Sequence, residues 1–330
     1  MREAYGRALK EIGETDPRIV VLDSDVANST KTIYFGSAFP ERFFNFGIQE
    51  ANMMDAAAGM AAVGLIPFVN TFSFLATLRA SEQIRTSIAY NRLNVKIVGS
   101  YAGLSDSYDG ASHQSVFDLA VMRSMPNITV VVPSDRLETR LAVRTIASMD
   151  GPVYLRLCRN SVPDIFWNDY VFRIGHANLL RPGRDAAIFV TGILVQRVLD
   201  AAALLAAEGI QCRVLQVPTL KPMDAEAVEL ASEETGALVT VEEHSIIGGL
   251  GSAVAEILAG SRPAPLERVG IPDTFAESGD YGQLLDKYGM SVEDVISAVR
   301  RVLERKSRPL GNPDGSKRTN GRKAAGEIPR

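Results

Sequence analysis

The chain has 330 residues, of which 46% are hydrophobic and 22% charged, and its formal net charge is −4. This length suggests two domains of roughly 100–200 residues each, and the small acidic charge argues against nucleic-acid and anionic-membrane partners. The two cysteines, Cys158 and Cys212, argue against a disulfide framework and against a cysteine-built metal site. The chain start lacks the apolar core of a signal peptide, and no apolar run approaches the roughly 20 residues that span a bilayer. We therefore expect a cytoplasmic protein.

The first half of the chain alternates helix-length segments with short apolar runs. The pattern predicts helices at 3–13, 51–63, 76–90 and 136–148. It predicts strands at 19–22, 66–69, 95–98, 128–132 and 153–157. Continuous apolar strands separated by helices are typical of a parallel sheet covered on both faces. Polar residues that follow such strands should lie at their carboxyl ends, where open α/β sheets bind ligands.

After a segment without a clear period, the second half again alternates short apolar runs with helix-length segments. The predicted strands are 186–191, 212–217 and 238–241, and the predicted helices are 196–208, 224–234, 251–258 and 291–304. The fold class is therefore α/β, with two domains built on parallel or mostly parallel sheets. The predicted domains are 1–165 and 185–305, joined by a linker at 166–184. Residues 306–330 carry seven Lys or Arg and two acidic residues, which predicts a basic, disordered tail.

Two polar segments of the first half contain candidate functional residues. Glu50 follows a short apolar strand and Gly47, and it opens a helix rich in Ala and Met. About sixty residues further on, positions 109–114 read Asp-Gly-Ala-Ser-His-Gln. Together the two segments resemble the pyrimidine-binding domain of a thiamine diphosphate enzyme, specifically the C-terminal part of a transketolase. The resemblance covers residues 1 to about 305.

Glu50 matches the catalytic glutamate of this family, whose motif Gly-Ile-x-Glu falls at 47–50. The resemblance implies that its carboxyl lies beside N1′ of the aminopyrimidine and favours the tautomer whose 4′ nitrogen accepts the thiazolium C2 proton. Such a carboxyl should be buried with a raised pKa, because desolvation disfavours its charged form. The plainer alternative is a first-turn glutamate that interacts favourably with a helix N-terminus.

The segment at 71–77 resembles the wall that encloses the pyrimidine ring, since a flat heterocycle gains from stacking and from burial of its area. Phe72 matches the first aromatic of the family. The second would fall at Leu75, with Phe74 displaced from it by one position. The resemblance therefore implies that these three residues bind the cofactor.

The string at 109–114 implies contacts with the sugar. Asp109 matches the aspartate that meets the hydroxyls of the donor. His113 matches a catalytic histidine near the thiazolium and the donor oxygens, where imidazole can hydrogen-bond or shuttle a proton near neutral pH. A histidine in a loop is otherwise an ordinary polar residue.

Phosphate recognition favours arginine because of its forked geometry. Arg159 and Arg2 match two phosphate-binding arginines of the family, and Ser29 and Asp25 match residues of the same pocket. Tyr101 stands where the family usually has a histidine that helps to hold the sugar phosphate. Because tyrosine is bulkier and uncharged, we expect a substrate other than the usual pentose phosphate, such as a branched, deoxy or sulfonated sugar.

The Gly-Asp-Gly sequence that begins the diphosphate motif of the family does not occur in this chain. That motif ligates a divalent metal through oxygen atoms, as Mg²⁺ prefers. We therefore expect no metal ligand here. We expect an N-terminal transketolase subunit as the partner that carries Gly-Asp-Gly, with thiamine diphosphate at the interface and a dimer of heterodimers as the assembly.

The resemblance thus implies the C-terminal subunit of a transketolase that transfers a two-carbon ketol unit from a ketose, such as a sugar phosphate, to an aldose. Two alternatives stay open. One is the β subunit of a 2-oxo acid dehydrogenase, which has similar domains. The other is a non-catalytic regulatory relative that retains the fold.

Overall fold

The computed structural model describes residues 1–167 and 169–307, and it confirms the predicted α/β fold with two mostly parallel sheets. The strands are β1 (Ile19–Asp23), β2 (Phe43–Asn45), β3 (Ile66–Phe72), β4 (Lys96–Ser100), β5 (Thr129–Val131), β6 (Val153–Arg156), β7 (Asn178–Arg181), β8 (Ala186–Val190), β9 (Cys212–Gln216), β10 (Thr219–Lys221), β11 (Leu238–Ser245) and β12 (Leu266–Ile271). The α-helices are α1 (Arg2–Thr15), α2 (Ala27–Thr30), α3 (Ile33–Ala38), α4 (Glu50–Ala62), α5 (Ser81–Gln83), α6 (Asp118–Ser124), α7 (Arg136–Ala147), α8 (Val195–Ala207), α9 (Ala225–Thr235), α10 (Leu250–Gly260), α11 (Tyr281–Lys287) and α12 (Val292–Ser307).

The first sheet has seven strands in the order β10-β5-β6-β4-β3-β1-β2. All neighbours pair in parallel except β10, which is antiparallel to β5. Alternate residues of β1 enter two different cores: Ile19 and Val21 pack in the cluster that includes α1 and α7, while Val20 and Leu22 pack with Met53 of α4. Both faces of the sheet are therefore covered, which explains why its strands read as continuous apolar runs.

The second sheet has five strands in the order β12-β11-β8-β9-β7, and only β7 is antiparallel to its neighbour. Apolar residues of α8 and α12 cover one face. On the other face, Phe189 of β8 and Leu250 of α10 belong to the same core cluster as Val69 of β3. The two halves thus share a continuous core. Among the described residues, no helix is both long enough and apolar enough to cross a membrane.

Three of the differences from the sequence-based expectation concern the first sheet, the linker and the helix predicted at 76–90. Strand β10 comes from the second half of the chain but pairs with β5 of the first sheet. Strand β7 lies inside the predicted linker at 166–184, so the proposed domain division has a strand within its linker. The predicted helix at 76–90 consists of two π-helical segments, Leu75–Arg79 and Ile84–Ala89, with α5 between them.

The last helix, α12, continues to Ser307 and so includes the first two residues of the predicted basic tail. The remainder of that tail, residues 308–330, lies outside the described residues.

Candidate active site

The carboxyl ends of β1, β3, β4 and β6 lie along one edge of the first sheet, and most of the predicted site residues lie at this edge. Phe72 ends β3, Tyr101 directly follows β4, and Arg159 follows β6 by three residues. This edge is where an open parallel sheet binds its ligands.

Glu50 is the first residue of α4, and it is fully buried. Gly47, at φ +69°, turns the chain between β2 and this helix. Two groups reach the carboxylate: Arg79 Nη1 donates to Oε2 at 2.9 Å, and Thr71 Oγ1 lies 3.5 Å from Oε1. The Arg79 side chain is 50% exposed. A buried carboxylate is therefore connected to the surface through one guanidinium.

Two partly buried aromatic side chains follow on the same edge. The ring centroid of Phe72 lies 4.6 Å from that of Tyr101, and the centroid of Phe74 lies 5.1 Å from that of His113. Leu75 begins the first π-helical segment and is also partly buried. Phe74 is thus the member of this wall that meets the predicted catalytic histidine.

A buried ion pair supports this wall from behind. Asp118 and Arg156 form a two-point contact, with Nε donating to Oδ2 at 2.7 Å and Nη2 donating to Oδ1 at 3.2 Å. Ser73, which lies between the two aromatic residues of the wall, donates to the same Oδ2 at 3.0 Å. Burial acts to raise the pKa of Asp118, but the guanidinium and further donors outweigh it and lower that pKa. Arg156 also donates to the carbonyl of Glu243 on β11 at 2.9 Å, which ties the wall to the second sheet.

The loop that carries His113 is held by the second half of the chain. Gly103 has φ +63°, and a Cβ there would lie 2.4 Å from Cδ of Glu243. Gly110 has φ +74°, and a Cβ there would lie 2.4 Å from Oγ of Ser278. Only glycine combines these backbone angles with such close approaches. The site is therefore built from both halves of the chain.

The residues predicted to bind the sugar phosphate include a group centred on Tyr101. Arg2 Nη1 donates to the hydroxyl of Tyr101 at 2.6 Å and to the carbonyl of Ser29 at 2.9 Å. The guanidinium carbon of Arg159 lies 5.1 Å from the Tyr101 ring centroid, within the range of a cation–π contact. The structure thus brings both predicted phosphate-binding arginines to one tyrosine, whereas Ser29 enters through its carbonyl rather than its hydroxyl.

Two predicted sugar residues are less closely tied to this group. Asp25 ends the turn after β1 with φ +67°, is exposed, and accepts a hydrogen bond from Nδ2 of Asn45 at 2.9 Å. Asp109 is exposed on the loop, close enough to Asp106 for the two carboxyls to affect each other's charge. His113 is partly buried, with Nδ1 3.0 Å from Oγ of Ser112.

Sequence reasoning missed four residues that the geometry places at or behind the site. They are Arg79, Asp106, Asp118 and Arg156. Asp106 is close in sequence to the predicted site residue Asp109, but it lies outside the string at 109–114. The others belong to no motif, and only the folded chain shows their contacts.

These residues fit the pyrimidine half of thiamine diphosphate. A buried carboxyl stands beside two partly exposed aromatic rings, which is the combination that a flat, hydrogen-bonding heterocycle requires. Across residues 1–167 and 169–307, no group of three or more His, Cys, Asp or Glu that could hold a metal ion is found.

Comparison with protein families matches residues 1–164 to the transketolase pyrimidine binding domain and residues 175–295 to the transketolase C-terminal domain. The 6-deoxy-6-sulfo-D-fructose transketolase subunit SqwH of Clostridium sp. is 43% identical over 307 residues, covering 93% of this chain and 95% of that protein. A subunit of the apulose-4-phosphate transketolase of Phocaeicola vulgatus is 36% identical over 305 residues, covering 92% and 97%.

A solved structure described as a split gene transketolase, inactive β4 tetramer, is 50% identical, with a TM-score of 0.85. The match covers 92% of this chain and 98% of that one. These matches extend over nearly the whole of subunits that carry only part of a transketolase. The chain therefore belongs to the transketolase family and corresponds to the C-terminal subunit of its split members.

Proposed function

We propose that this chain, as the C-terminal subunit of a two-chain transketolase, uses thiamine diphosphate to transfer a two-carbon ketol unit from a ketose to an aldose. The observation that carries the proposal is Glu50, which is fully buried at the start of α4 and is connected to the surface through Arg79. When bound, the cofactor supplies the nucleophilic carbon that carries the two-carbon unit. The chain supplies proton transfer, an apolar wall and much of the sugar pocket.

Each predicted residue has a role in this proposal. Glu50 holds a proton at N1′ of the aminopyrimidine, while Phe72, Phe74 and Leu75 enclose the ring and exclude water. His113 hydrogen-bonds the oxygens of the donor and moves a proton there, because an imidazole ring can both donate and accept a hydrogen bond. Its contact with Phe74 supports this placement beside the cofactor wall.

The sugar is bound at the opposite end of the edge. Asp109 and Asp25 accept hydrogen bonds from sugar hydroxyls, and Arg159 and Arg2 face the terminal group of the sugar, with Ser29 alongside. The convergence of both guanidinium groups on Tyr101 supports this assignment. The relatives are named for sulfofructose and apulose 4-phosphate, which supports a substrate other than a simple pentose phosphate.

The partner is an N-terminal transketolase subunit that carries Gly-Asp-Gly and supplies the ligands of Mg²⁺ and the diphosphate. Exposed apolar side chains near Glu50 support a partner surface: Ile48 is 72% exposed, and Leu78, next to Arg79, is 52% exposed. Large apolar side chains grouped beside a site often mark an interface. We propose a dimer of heterodimers with the cofactor between chains, in the cytoplasm.

Neither alternative from the sequence is favoured. Both relatives are named as transketolase subunits rather than 2-oxo acid dehydrogenase subunits. A non-catalytic relative would have no need of a buried carboxylate, which is costly to desolvate, yet Glu50 is fully buried.

The test mixes this chain with an N-terminal subunit from the same genome, thiamine diphosphate and Mg²⁺, and follows ketol transfer from a panel of ketoses by mass spectrometry. We expect transfer only in the mixture, with loss in Glu50→Gln. Glu233→Gln is the matched control, because Glu233 lies on the surface of α9 in an exposed ion pair. A stable complex that transfers no ketol unit from any ketose would refute the proposal.

A further inference from the structure

Asp106 is a buried carboxylate at the sugar end of the site. It is fully buried, and its Oδ1 accepts a hydrogen bond from Arg159 Nη1 at 3.2 Å. Its other oxygen, Oδ2, is buried and has no hydrogen-bond partner among the described residues. The backbone N–H of Arg159 donates to Oγ of Ser105 at 3.2 Å, which fixes the two segments against each other. A buried acceptor left without a donor is costly, and this one adjoins the sugar pocket.

The charges around this carboxylate decide what the pocket can hold. Two guanidinium groups, those of Arg2 and Arg159, meet at Tyr101. Burial, together with the neighbouring carboxyl of Asp109, raises the pKa of Asp106 to about 7. At pH 8 Asp106 is therefore mostly ionised and offsets one guanidinium, so the pair presents about one net positive charge rather than two. The carboxyl of Asp109, on the same loop, is exposed, so water and salt screen its charge more than that of buried Asp106.

We propose that Asp106 determines which terminal group the sugar pocket accepts, favouring a ketose whose terminus carries a single negative charge, such as a sulfonate, over one that ends in a phosphate dianion. This inference rests on the proposed function and specifies its substrate class. A dianion bound at Arg159 would face the carboxylate that already occupies this guanidinium, whereas a monoanion is matched by the remaining charge. Repulsion of the wrong ligand is a recognised route to specificity.

The experiment uses the complete two-chain enzyme with three donors of one carbon skeleton: fructose 6-phosphate, 6-deoxy-6-sulfofructose and fructose. Glycolaldehyde serves as the acceptor, because it has no terminal anion. Values of kcat/KM are measured at pH 8, where a phosphate monoester is a dianion. We expect the sulfonate donor to exceed the phosphate donor by about tenfold, the effect of one like charge at partly screened distance.

Asp106→Asn keeps the shape of the side chain and removes its charge. We expect it to raise kcat/KM for the phosphate donor about tenfold relative to the sulfonate donor, by relieving the same repulsion. Asp200→Asn, an exposed site on α8, is the matched control and should leave this ratio unchanged. A wild-type preference for the phosphate donor, or a ratio that Asp106→Asn leaves within twofold, would overturn the inference.

A measurement on the wild-type enzyme keeps the test valid if the variant folds poorly. Methanesulfonate and methyl phosphate are compared as inhibitors of transfer from fructose, and we expect methanesulfonate to inhibit more strongly. Equal inhibition, or stronger inhibition by methyl phosphate, counts against Asp106 as the discriminating group.

Transfer from fructose, which has no terminal anion, distinguishes failure of the proposed function from failure of this inference. If no donor is used, the proposed function fails and this inference fails with it; if donors are used without discrimination, only this inference fails.

Discussion

Arg79 reaches from the surface of the protein to the buried carboxylate of Glu50, and its Nη1 lies 2.9 Å from Oε2. The guanidinium stands at the end of the π-helical segment Leu75–Arg79 that also carries part of the apolar wall. An ion pair with a half-exposed partner is screened by water and weak. The buried carboxylate can therefore exchange this partner for another hydrogen-bonding group that enters from the same side.

Replacement of Glu50 by glutamine tests the proton-transfer role directly. The amide keeps the shape of the side chain but cannot hold or release the proton, so we expect kcat of the two-chain enzyme to fall by about 10²–10⁴-fold. The thermal unfolding midpoint should change little by comparison. Activity within tenfold of the wild type at saturating cofactor would show that another group performs this role.

Replacement of Arg79 by glutamine tests competition for the same carboxylate. Because Arg79 occupies Oε2 of Glu50, its removal should leave the carboxylate open, and we expect the apparent Kd of thiamine diphosphate for the complex to fall severalfold. Isothermal titration calorimetry measures this affinity. Arg85→Gln is the matched control, since Arg85 forms an exposed pair with Glu82. Weaker binding in Arg79→Gln would instead place Arg79 among the groups that hold the cofactor.

Replacement of Arg156 by methionine tests the pair behind the aromatic wall. Methionine is apolar and of similar length, so Asp118 would stay buried without a counter-charge. We expect the free energy of unfolding to fall by about 3–5 kcal/mol, measured by urea denaturation. Arg300→Met, which breaks an exposed pair with Glu208, should cost no more than about 1 kcal/mol. Equal losses of unfolding free energy in the two variants would mean that the buried Asp118–Arg156 pair stabilises the fold no more than an exposed pair does.

The sequence predicted the two sheets well, because buried parallel strands read as apolar runs whatever their neighbours are. It did not predict β7, β12 or β10. In β10 the three residues at 219–221 carry no periodic signal. Their pairing with β5, some ninety residues earlier, is set by the shared core of the two halves.

Some residues of the candidate site could likewise be predicted from the sequence, and others could not. Glu50, His113 and Arg159 could be named because each belongs to a motif with a physical requirement for that residue type. Asp106 could not be assigned a role, because its burial and its contact with Arg159 arise only when the loop after β4 folds against the loop after β6. Motifs thus indicate the residues for which we propose a chemical role, whereas packing identifies those, such as Asp106, that we propose to adjust it.

Glu243 gives the fold a measurable dependence on pH. Burial raises the pKa of its carboxyl from 4.5 to about 7, although the nearby Arg156 guanidinium acts in the opposite direction. Oε1 accepts a hydrogen bond from the N–H of Leu104 at 2.8 Å, while Oε2 is buried and has no partner among the described residues. The folded state therefore favours the protonated carboxyl. This contribution to stability is fully present below pH 4.5, the unfolded value, and is lost as the pH rises through about 7.

Glu243→Gln isolates this effect, because the amide resembles the protonated carboxyl and does not titrate. We expect the difference in free energy of unfolding, wild type minus variant, to decrease by roughly 3 kcal/mol between pH 4.5 and pH 7.5. Urea unfolding at half-unit pH steps measures it. The same difference for Glu233→Gln, at an exposed position, should vary far less over this range. A flat difference for Glu243→Gln would mean that folding leaves the pKa of this carboxyl at its unfolded value, so that the contact with Leu104 holds a carboxylate at neutral pH.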